Sequence, residues 1–303
     1  MLLLGIRTVV VATDLDPSSD AALDSASRLA AAAGAALHVV HVVVPPDGAV
    51  AEDPPPAHVA DAVREALERA KLKQGVARIH ILSGSPPNAI ALLAQRVAAD
   101  VVVIGPHRQR GRVGVGVGHP LGGTARAVAG HASAPCLVAA KPIRLPLERV
   151  LVSVDLSETA RGTLLAALSW ASALRVSSSP ERHTTLTALH VDTADGAGER
   201  ATTSVDRELE RVREVAGDWA GVTVRKLTER DADVARAIMA RAVAERADLV
   251  VLGTHERGLA EEPRLGSVAA AVSTALELPS LLVPPAVWRA HVSELERAKE
   301  IAR

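Results

Sequence analysis

The sequence contains no tyrosine, no phenylalanine and only three tryptophans. A chain with so few aromatic side chains offers no platform on which unpaired bases could stack, which argues against binding to single-stranded DNA or RNA. Its core must therefore be built from Val, Leu, Ile and Ala.

Cysteine is almost absent as well. The single cysteine, Cys136, has no partner for an internal disulfide, and its apolar surroundings, SAPCLVAA, predict a buried and inert thiol. A chain that needs no disulfide suits a reducing compartment, so we expect a cytoplasmic protein.

An excess of charge of either sign is also missing. The chain has 34 Lys and Arg residues against 35 Asp and Glu residues, so neither nucleic acid nor an anionic membrane is an expected partner. The first residues, MLLLGIRTVVVATDLD, lack a basic leader and are interrupted by Arg7 and Asp14, unlike a signal peptide. No uninterrupted apolar run reaches the length of a membrane span.

What the sequence does contain is a repeat. At 303 residues the chain exceeds the usual size of one domain, and four landmarks recur in the same order. They are Asp14 with Asp155, His41 with His190, AADVVVIGPH (98–107) with RADLVVLGTH (246–255), and the run around 134–137 with that around 278–281. We predict a duplication, with domain 1 at 1–141, a proline-containing linker at 142–146 and domain 2 at 147–285.

Within each copy, short Val- and Leu-rich runs alternate with helical patterns, which is typical of a parallel sheet covered on both faces. The predicted fold class is therefore α/β, with two tandem doubly wound, five-stranded, Rossmann-like domains. The predicted strands of the first copy are about 7–13, 36–43, 77–82, 100–105 and 135–140.

Apolar residues at helical spacing predict helices that face the core. They are Val59, Val63, Ala66 and Ala70 in the first copy, and Val205, Leu209, Val212, Ala216 and Trp219 in the second. Residues 286–303 predict one more amphipathic helix, with Trp288, Val292, Leu295 and Ala302 on one side. Its simpler role is to pack on the second domain, and the alternative is to bind a partner.

Ligands of open parallel sheets bind beyond the carboxyl ends of the strands, where the strand order reverses. The first strand of each copy ends at Asp14 and Asp155. Asp16, before Pro17, and Ser157 are predicted to cap the helices that follow. Asp14 and Asp155 then remain either to accept hydrogen bonds from ribose hydroxyls or to bind backbone amides of their own turns.

The second strand of each copy ends in a His-Val pair. The backbone groups of Val42 and Val191 can read the edge of an adenine base. The preceding histidines, His41 and His190, are expected to lie in the core or to support neighbouring residues, because no other metal-binding side chain stands at ligand spacing.

After the fourth strand of the second copy, Gly253 is followed by Gly266 and Ser267, which open a helix. Close backbone approach at the glycines and free N–H groups at the helix start predict a cradle for a triphosphate. The alternative is an ordinary helix cap.

In the first copy the corresponding residues are Gly105, Arg108, Gly122, Gly123 and Thr124, with the long glycine-rich loop 109–121 between them. Arginine in such a loop favours phosphate oxygens. The alternative is a solvated loop without a ligand.

These residues resemble the universal stress protein family, in which an Asp ends the first strand and Gly-x2-Gly-x9-Gly-(Ser/Thr) follows the fourth. The resemblance covers both copies, to about residue 285. It implies domains paired as in a dimer and, in many members, ATP binding without strong catalysis. By position it implies a ribose contact from Asp155, an adenine contact from Val191 and phosphate contacts from Gly253, Gly266 and Ser267.

The second copy departs from this pattern at Glu256, which stands where the family has its second glycine. A negative charge there weakens phosphate binding. Because the first copy has arginines in the same loop, we expect it to be the better site for ATP, with Mg²⁺ bound through the phosphates.

Three functions follow from this reading. The first is a stress-response regulator that binds ATP, and the second is a nucleotide-free scaffold that acts through protein partners. The third is an enzyme, which we disfavour because no catalytic constellation stands out, so that slow ATP hydrolysis is the most we expect. The last strands, at 137–140 and 281–284, are predicted to pair the two copies within one chain, with a homodimer as the alternative.

Overall fold

The computed structural model describes residues 5–45, 57–72, 75–106, 121–131, 134–157, 160–175, 183–193, 198–217, 219, 221–254 and 265–290. These residues form two compact units. The first comprises residues 6–143 and 273–279, and the second comprises residues 5, 144–272 and 280–290. Each repeat contributes five parallel strands, and the two are described separately as domain 1 and domain 2.

Domain 1 alternates strands and helices throughout its described part. The strands are β1 (Thr8–Ala12), β2 (Ala36–Val43), β3 (Ala77–Ser83), β4 (Val101–Ile104) and β5 (Cys136–Val138). The helices are α1 (Asp20–Ala33), α2 (Ala57–Arg69), α3 (Pro86–Arg96) and α4 (Gly123–His131), and a short 3₁₀ turn, Pro17–Ser19, precedes α1.

The strands of domain 1 lie in the order β3-β2-β1-β4-β5, and all neighbouring pairs are parallel. The direction of the connections reverses between β1 and β4. Right-handed crossovers therefore place α1 and α2 on one face of the sheet and α3 and α4 on the other. The carboxyl ends of β1, β2 and β4 meet at the reversal point, where this topology leaves a crevice.

Aliphatic side chains build the core of domain 1. Val9, Val10 and Val11 follow one another in β1 and are all fully buried, because helices cover both faces of the sheet. Helix α1 stops at Gly34, whose φ of 66° is the left-handed conformation that glycine adopts without steric cost.

Domain 2 repeats the same plan. Its strands are β6 (Arg149–Ser153), β7 (Thr184–Asp192), β8 (Val222–Arg230), β9 (Leu249–Gly253) and β10 (Ser280–Val283). Its helices are α5 (Ala160–Ala173), α6 (Gly198–Ala216), α7 (Val234–Ala244) and α8 (Ser267–Ala275). The strand order is β10-β9-β6-β7-β8, again parallel, with the reversal between β6 and β9.

The predicted fold class is confirmed, and the five predicted strands of the first copy agree with the observed bounds to within two residues. Of the predicted helix stripes, Val63 and Val212 are buried as expected. The prediction that Trp219 lies on a helix is wrong. It lies beyond the end of α6, and Arg213 covers its ring at 5.1 Å from the ring centroid.

The predicted linker is anchored at Ile143, whereas Pro142, Arg144 and Pro146 are exposed. Ile143 is fully buried, and its backbone N–H donates to Ser25 Oγ of α1 at 3.0 Å. Of the predicted C-terminal helix, residues 286–290 are helical and the rest lies outside the described residues. Trp288 packs over Gly162 of α5, where a Cβ would lie 3.3 Å from the Trp288 backbone nitrogen.

Two further expectations concern burial and hydropathy. Cys136 is buried as predicted, and this burial raises the pKa of its thiol, so the reactive thiolate is disfavoured. In the part of the chain that the structure covers, every helix is too short or too polar to cross a membrane.

A pair of histidines joins β2 to β3 in domain 1. The rings of His38 and His80 stack with centroids 5.2 Å apart, and His38 Nδ1 lies 3.0 Å from His80 Nε2. The charged groups that act on them are Arg78 of β3 and Arg96 of α3. Burial is the largest cause that lowers the pKa of both histidines. The pKa of His38 is lowered further by His80 and then Arg78, and that of His80 by Arg78 and then Arg96.

Candidate functional site

The turn after β1 carries the first candidate residue, Asp14. Asp16 caps the following 3₁₀ turn as predicted, since its Oδ1 accepts the N–H of Ser18 at 3.0 Å, and Pro17 occupies the first helical position. Asp14 has a local role too, because its Oδ1 accepts the N–H of Asp16 at 3.1 Å. The Asp14 carboxylate therefore makes a backbone contact within its own turn, which the sequence predicts as the alternative to a ribose contact.

The turn after β6 is built in the same way around Asp155. Its Oδ1 accepts both the N–H of Ser157 at 3.0 Å and the hydroxyl of Ser157 at 2.7 Å. The first N–H of α5, from Ala160, bonds to the Ser157 carbonyl. The hydroxyl of Ser157 thus holds the Asp155 carboxylate, and the helix cap from Ser157 stays a prediction.

The residue after each aspartate has an unusual backbone. Leu15 and Leu156 have φ values of 65° and 59°, in the left-handed region that a leucine rarely enters. Such strain persists only where the surroundings enforce it, and it is concentrated at functional sites. Its occurrence at equivalent positions of both domains marks these two turns as candidate binding turns.

The two histidines of the second strands support the turns that carry the aspartates. His41 Nδ1 lies 2.9 Å from the carbonyl oxygen of Thr13, and His190 Nδ1 lies 2.7 Å from that of Val154. Each ring thus links the second strand to the residue before the aspartate. Among the residues that the structure describes, no group of three or more His, Cys, Asp or Glu side chains could hold a metal ion.

The backbone of Val42 faces the crevice of domain 1. The β1–β2 ladder ends at the pair Ala12 and Val40, and Thr13 N donates to Val40 O at 3.0 Å. Alternate residues of a strand direct their backbone groups toward the same neighbour. The N–H and C=O of Val42, two residues farther along, therefore point past the end of β1.

Val191 is placed in the same way in domain 2. The β6–β7 ladder ends at Ser153 and Leu189, and Val154 N donates to Leu189 O at 2.8 Å. The backbone groups of Val191 thus point beyond β6. This is the geometry that the prediction of adenine recognition requires of both valines.

The loop after each fourth strand closes with an equivalent hydrogen bond. In domain 2 the N–H of Gly266 donates to the carbonyl of Thr254 at 2.7 Å, and α8 begins at Ser267. In domain 1 the N–H of Gly122 donates to the carbonyl of Pro106 at 3.4 Å, and α4 begins at the next residue. The sequence correspondence between the two loop ends therefore holds in space.

The glycines at the ends of β4 and β9 also have a packing role. A Cβ on Gly253 would lie 3.1 Å from Thr163 Oγ1 of α5, and one on Gly105 would lie 3.4 Å from the carbonyl oxygen of Ser18. Both glycines allow the helix after the first strand to approach the sheet closely.

The crevice of domain 2 is a cavity of about 450 Å³. Its lining contains all five predicted residues of this copy, namely Asp155, Val191, Gly253, Gly266 and Ser267. Such a volume is in the range of small-molecule sites. Glu256, the departure from the family pattern, lies outside the described residues.

The crevice of domain 1 is a smaller cavity of about 340 Å³. Its lining brings together four predicted residues, Asp14, Val42, Gly105 and Thr124. Gly122 and Gly123 stand just before Thr124 at the start of α4 and do not line the cavity. Arg108 lies outside the described residues.

Sequence reasoning missed several wall residues of both cavities. Pro86 and Ile90 of α3 line the first, with Val44, whose side chain is 63% exposed at the rim. Val234 of α7 and Asp192 line the second. The polar Asp192 directly after Val191 was a usable sequence signal, whereas the apolar residues look like ordinary core positions until the helices are folded onto the sheet.

Comparison with known proteins agrees with this architecture. The universal stress protein family matches the chain twice, over residues 5–140 and 146–284. No curated protein matches the chain significantly.

Solved structures match the chain over both domains. A universal stress protein from Archaeoglobus fulgidus DSM 4304 is 18% identical, covers 94% of this chain and 98% of its own, and has a TM-score of 0.65. A functionally unknown protein from Pseudomonas aeruginosa PAO1 is 17% identical over 97% of each chain, with a TM-score of 0.60. At these identities the similarity shows a shared fold.

A shorter match is a universal stress protein solved in complex with cAMP. It is 31% identical, covers 44% of this chain and 94% of its own, and has a TM-score of 0.34. The two family matches together extend over nearly the whole sequence, one on each repeat. The chain therefore belongs to the universal stress protein family and carries two copies of the family domain in tandem.

Proposed function

We propose that this protein binds an adenine nucleotide, ATP in the first place, in the crevices of its domains and acts in the stress response through binding rather than catalysis. The observation that carries the proposal is the domain 2 cavity. It gathers a carboxylate, an outward-facing strand backbone and a glycine-serine helix start, three elements that come from distant parts of the chain.

Each element suits one part of the nucleotide. The carboxylates of Asp14 and Asp155 can accept hydrogen bonds from ribose hydroxyls. The N–H and C=O groups of Val42 and Val191 can pair with the edge of the base. The phosphates fit at the start of α4 or α8, where the backbone N–H groups of the first helical turn and the helix dipole favour an anion.

The described cavity walls contain no Phe, Tyr or Trp, so aliphatic side chains would hold the base. In domain 1, Val42, Val44, Pro86 and Ile90 supply an apolar surface for one face of the ring. Covering the exposed Val44 side chain with adenine removes apolar surface from water, which contributes about 25 cal/mol per Å². Mg²⁺ would bind through the phosphates rather than through a protein cluster.

Calorimetric titration with Mg²⁺ and ATP tests the proposal. The variants are Asp14→Asn and Asp155→Asn, because an asparagine oxygen still accepts the backbone N–H that holds the turn. Each variant should abolish binding in its own domain and spare the other. Asp61→Asn is the matched control, since this exposed aspartate of α2 pairs only locally with Arg64.

ADP, cAMP and GTP in the same titration define the base and the phosphate chain that are bound. ATP binding that is lost in the two aspartate variants and retained in the control supports the proposal. If ATP at about 1 mM gives no heat, any Kd is weaker than about 1 mM, which corresponds to a binding free energy of only about 4 kcal/mol. That result overturns the proposal and leaves the nucleotide-free scaffold. The titration also tests the expectation that domain 1 binds more tightly.

A further inference from the structure

Four hydrogen-bonding groups in domain 1 form one continuous chain beneath the turn that carries Asp14. Leu15 N donates to Thr13 Oγ1 at 3.0 Å, Thr13 Oγ1 and Ser19 Oγ are 2.8 Å apart, and Ser19 Oγ donates to Asp16 O at 2.8 Å. Thr13 and Ser19 are both buried.

Proton counting gives this chain a direction. The single hydroxyl proton of Ser19 goes to the Asp16 carbonyl, so the Thr13 hydroxyl must donate to Ser19. The lone pairs of Thr13 Oγ1 are then available for the Leu15 N–H. Every donor is thereby matched to an acceptor, as a buried network requires.

Arg69 at the end of α2 holds the other side of the same residue. Its Nη2 donates to the Leu15 carbonyl at 3.0 Å, and the guanidinium also contacts the Asp20 carboxylate at 3.2 Å. Both backbone groups of Leu15, the residue with φ of 65°, are therefore bound by side chains.

Domain 2 lacks the two hydroxyls of this network. The repeat places Val154 at the position of Thr13 and Ala160 at that of Ser19, and neither side chain has a hydroxyl. Arg161 stands at the position of Asp20, and its Nε donates to Glu208 of α6 at 2.6 Å.

We infer that Thr13 and Arg69 are positioning residues that hold the turn of Asp14 in the orientation that recognises the ribose hydroxyls of a nucleotide bound in domain 1. This inference rests on the proposed nucleotide binding. A carboxylate held in one orientation discriminates sharply between ligands with and without the hydroxyl, whereas a carboxylate free to move relaxes around the loss.

The test compares ATP with 2′-deoxyATP and 3′-deoxyATP, in a full-length Asp155→Asn background that silences the second site. Thr13→Val installs the residue that domain 2 uses, and Arg69→Met removes the guanidinium donors. Thr13→Ser restores the hydroxyl, and Asp20→Asn weakens the ion pair while leaving the contact from Arg69 to the Leu15 carbonyl.

We expect the parent to bind ATP about tenfold more tightly than the weaker deoxy analogue, the value of one good hydrogen bond. Thr13→Val and Arg69→Met should reduce this ratio to about twofold or less, while Thr13→Ser and Asp20→Asn should keep it. A merely structural role would lower the amount of binding-competent protein and leave the ratio unchanged.

Two failures are separable in this design. If the parent binds no ATP, the proposed function fails, and the inference with it. If the parent binds ATP through Asp14 and both Thr13→Val and Arg69→Met retain the full ratio, the inference alone is overturned. Circular dichroism of each variant confirms that it is folded.

Discussion

Replacing Ser25 by alanine should destabilise domain 1 by removing the anchor of the interdomain segment. Ser25 Oγ accepts the N–H of Ile143 at 3.0 Å and donates to the Ala21 carbonyl at 2.7 Å, and both Ser25 and Ile143 are fully buried. The Ala21 carbonyl keeps its helical bond in the variant. The Ile143 N–H keeps no partner and no access to water.

The expected cost is that of a buried donor left without an acceptor, about 1–3 kcal/mol. With a urea m-value of about 2 kcal/mol per molar for a domain of this size, the unfolding midpoint should fall by about 1 M. The control Ser83→Ala removes an exposed hydroxyl at the end of β3 and should change the free energy of unfolding by less than about 0.5 kcal/mol.

The tryptophans provide a domain-specific assay, because Trp170, Trp219 and Trp288 all belong to domain 2. Far-UV circular dichroism follows both domains, and tryptophan fluorescence follows domain 2. The Ser25→Ala shift should appear in the circular dichroism transition. A midpoint that stays within about 0.2 M of the parent would refute the reasoning, since it would mean that the Ile143 N–H needs no protein acceptor.

Other outcomes can be checked on the same protein. The pKa values of His38 and His80 are lowered in the folded protein. Their contribution to stability is therefore complete above the unfolded pKa of about 6.5 and is lost as the pH falls through the folded values. The urea midpoint of domain 1 should thus fall between pH 7 and pH 5. An unchanged midpoint contradicts this. Cys136 should react with a thiol reagent only in urea, because burial raises the pKa of its thiol. Fast labelling of the native protein would contradict this and show that β5 is accessible to the reagent. Gly162→Ala should destabilise domain 2 by about 1–3 kcal/mol, because the added Cβ would press on Trp288, with tryptophan fluorescence in urea as the readout. A variant as stable as the parent would mean that Trp288 moves aside freely.

Much of the fold was predictable because parallel sheets buried on both faces require continuous aliphatic runs. Val9, Val10 and Val11 carry that signal directly, and the Asp-Pro step at residues 16–17 carries the start of the following helical turn. These are local properties that a short window of sequence contains.

The candidate site was predictable only at the strand ends. Nothing in the sequence indicates that Leu15 adopts a left-handed conformation, because leucine avoids it and the bonds from Thr13 and Arg69 to its backbone form only in the folded domain. Arg69 is distant along the chain and resembles any exposed helical arginine. The tertiary fold also decides that Pro86 and Ile90 form a cavity wall rather than core.

The two charge pairs between the first helices of each domain have a consequence for substitutions. Asp20 on α1 pairs with Arg69 on α2, whereas Arg161 on α5 pairs with Glu208 on α6. Asp20 and Arg161 occupy equivalent positions of the repeat, yet one is acidic and the other is basic. The two domains therefore attract the same pair of helices with charges of opposite sign, so a substitution that reverses the charge of Asp20 or Arg161 must be compensated on the second helix of the same domain.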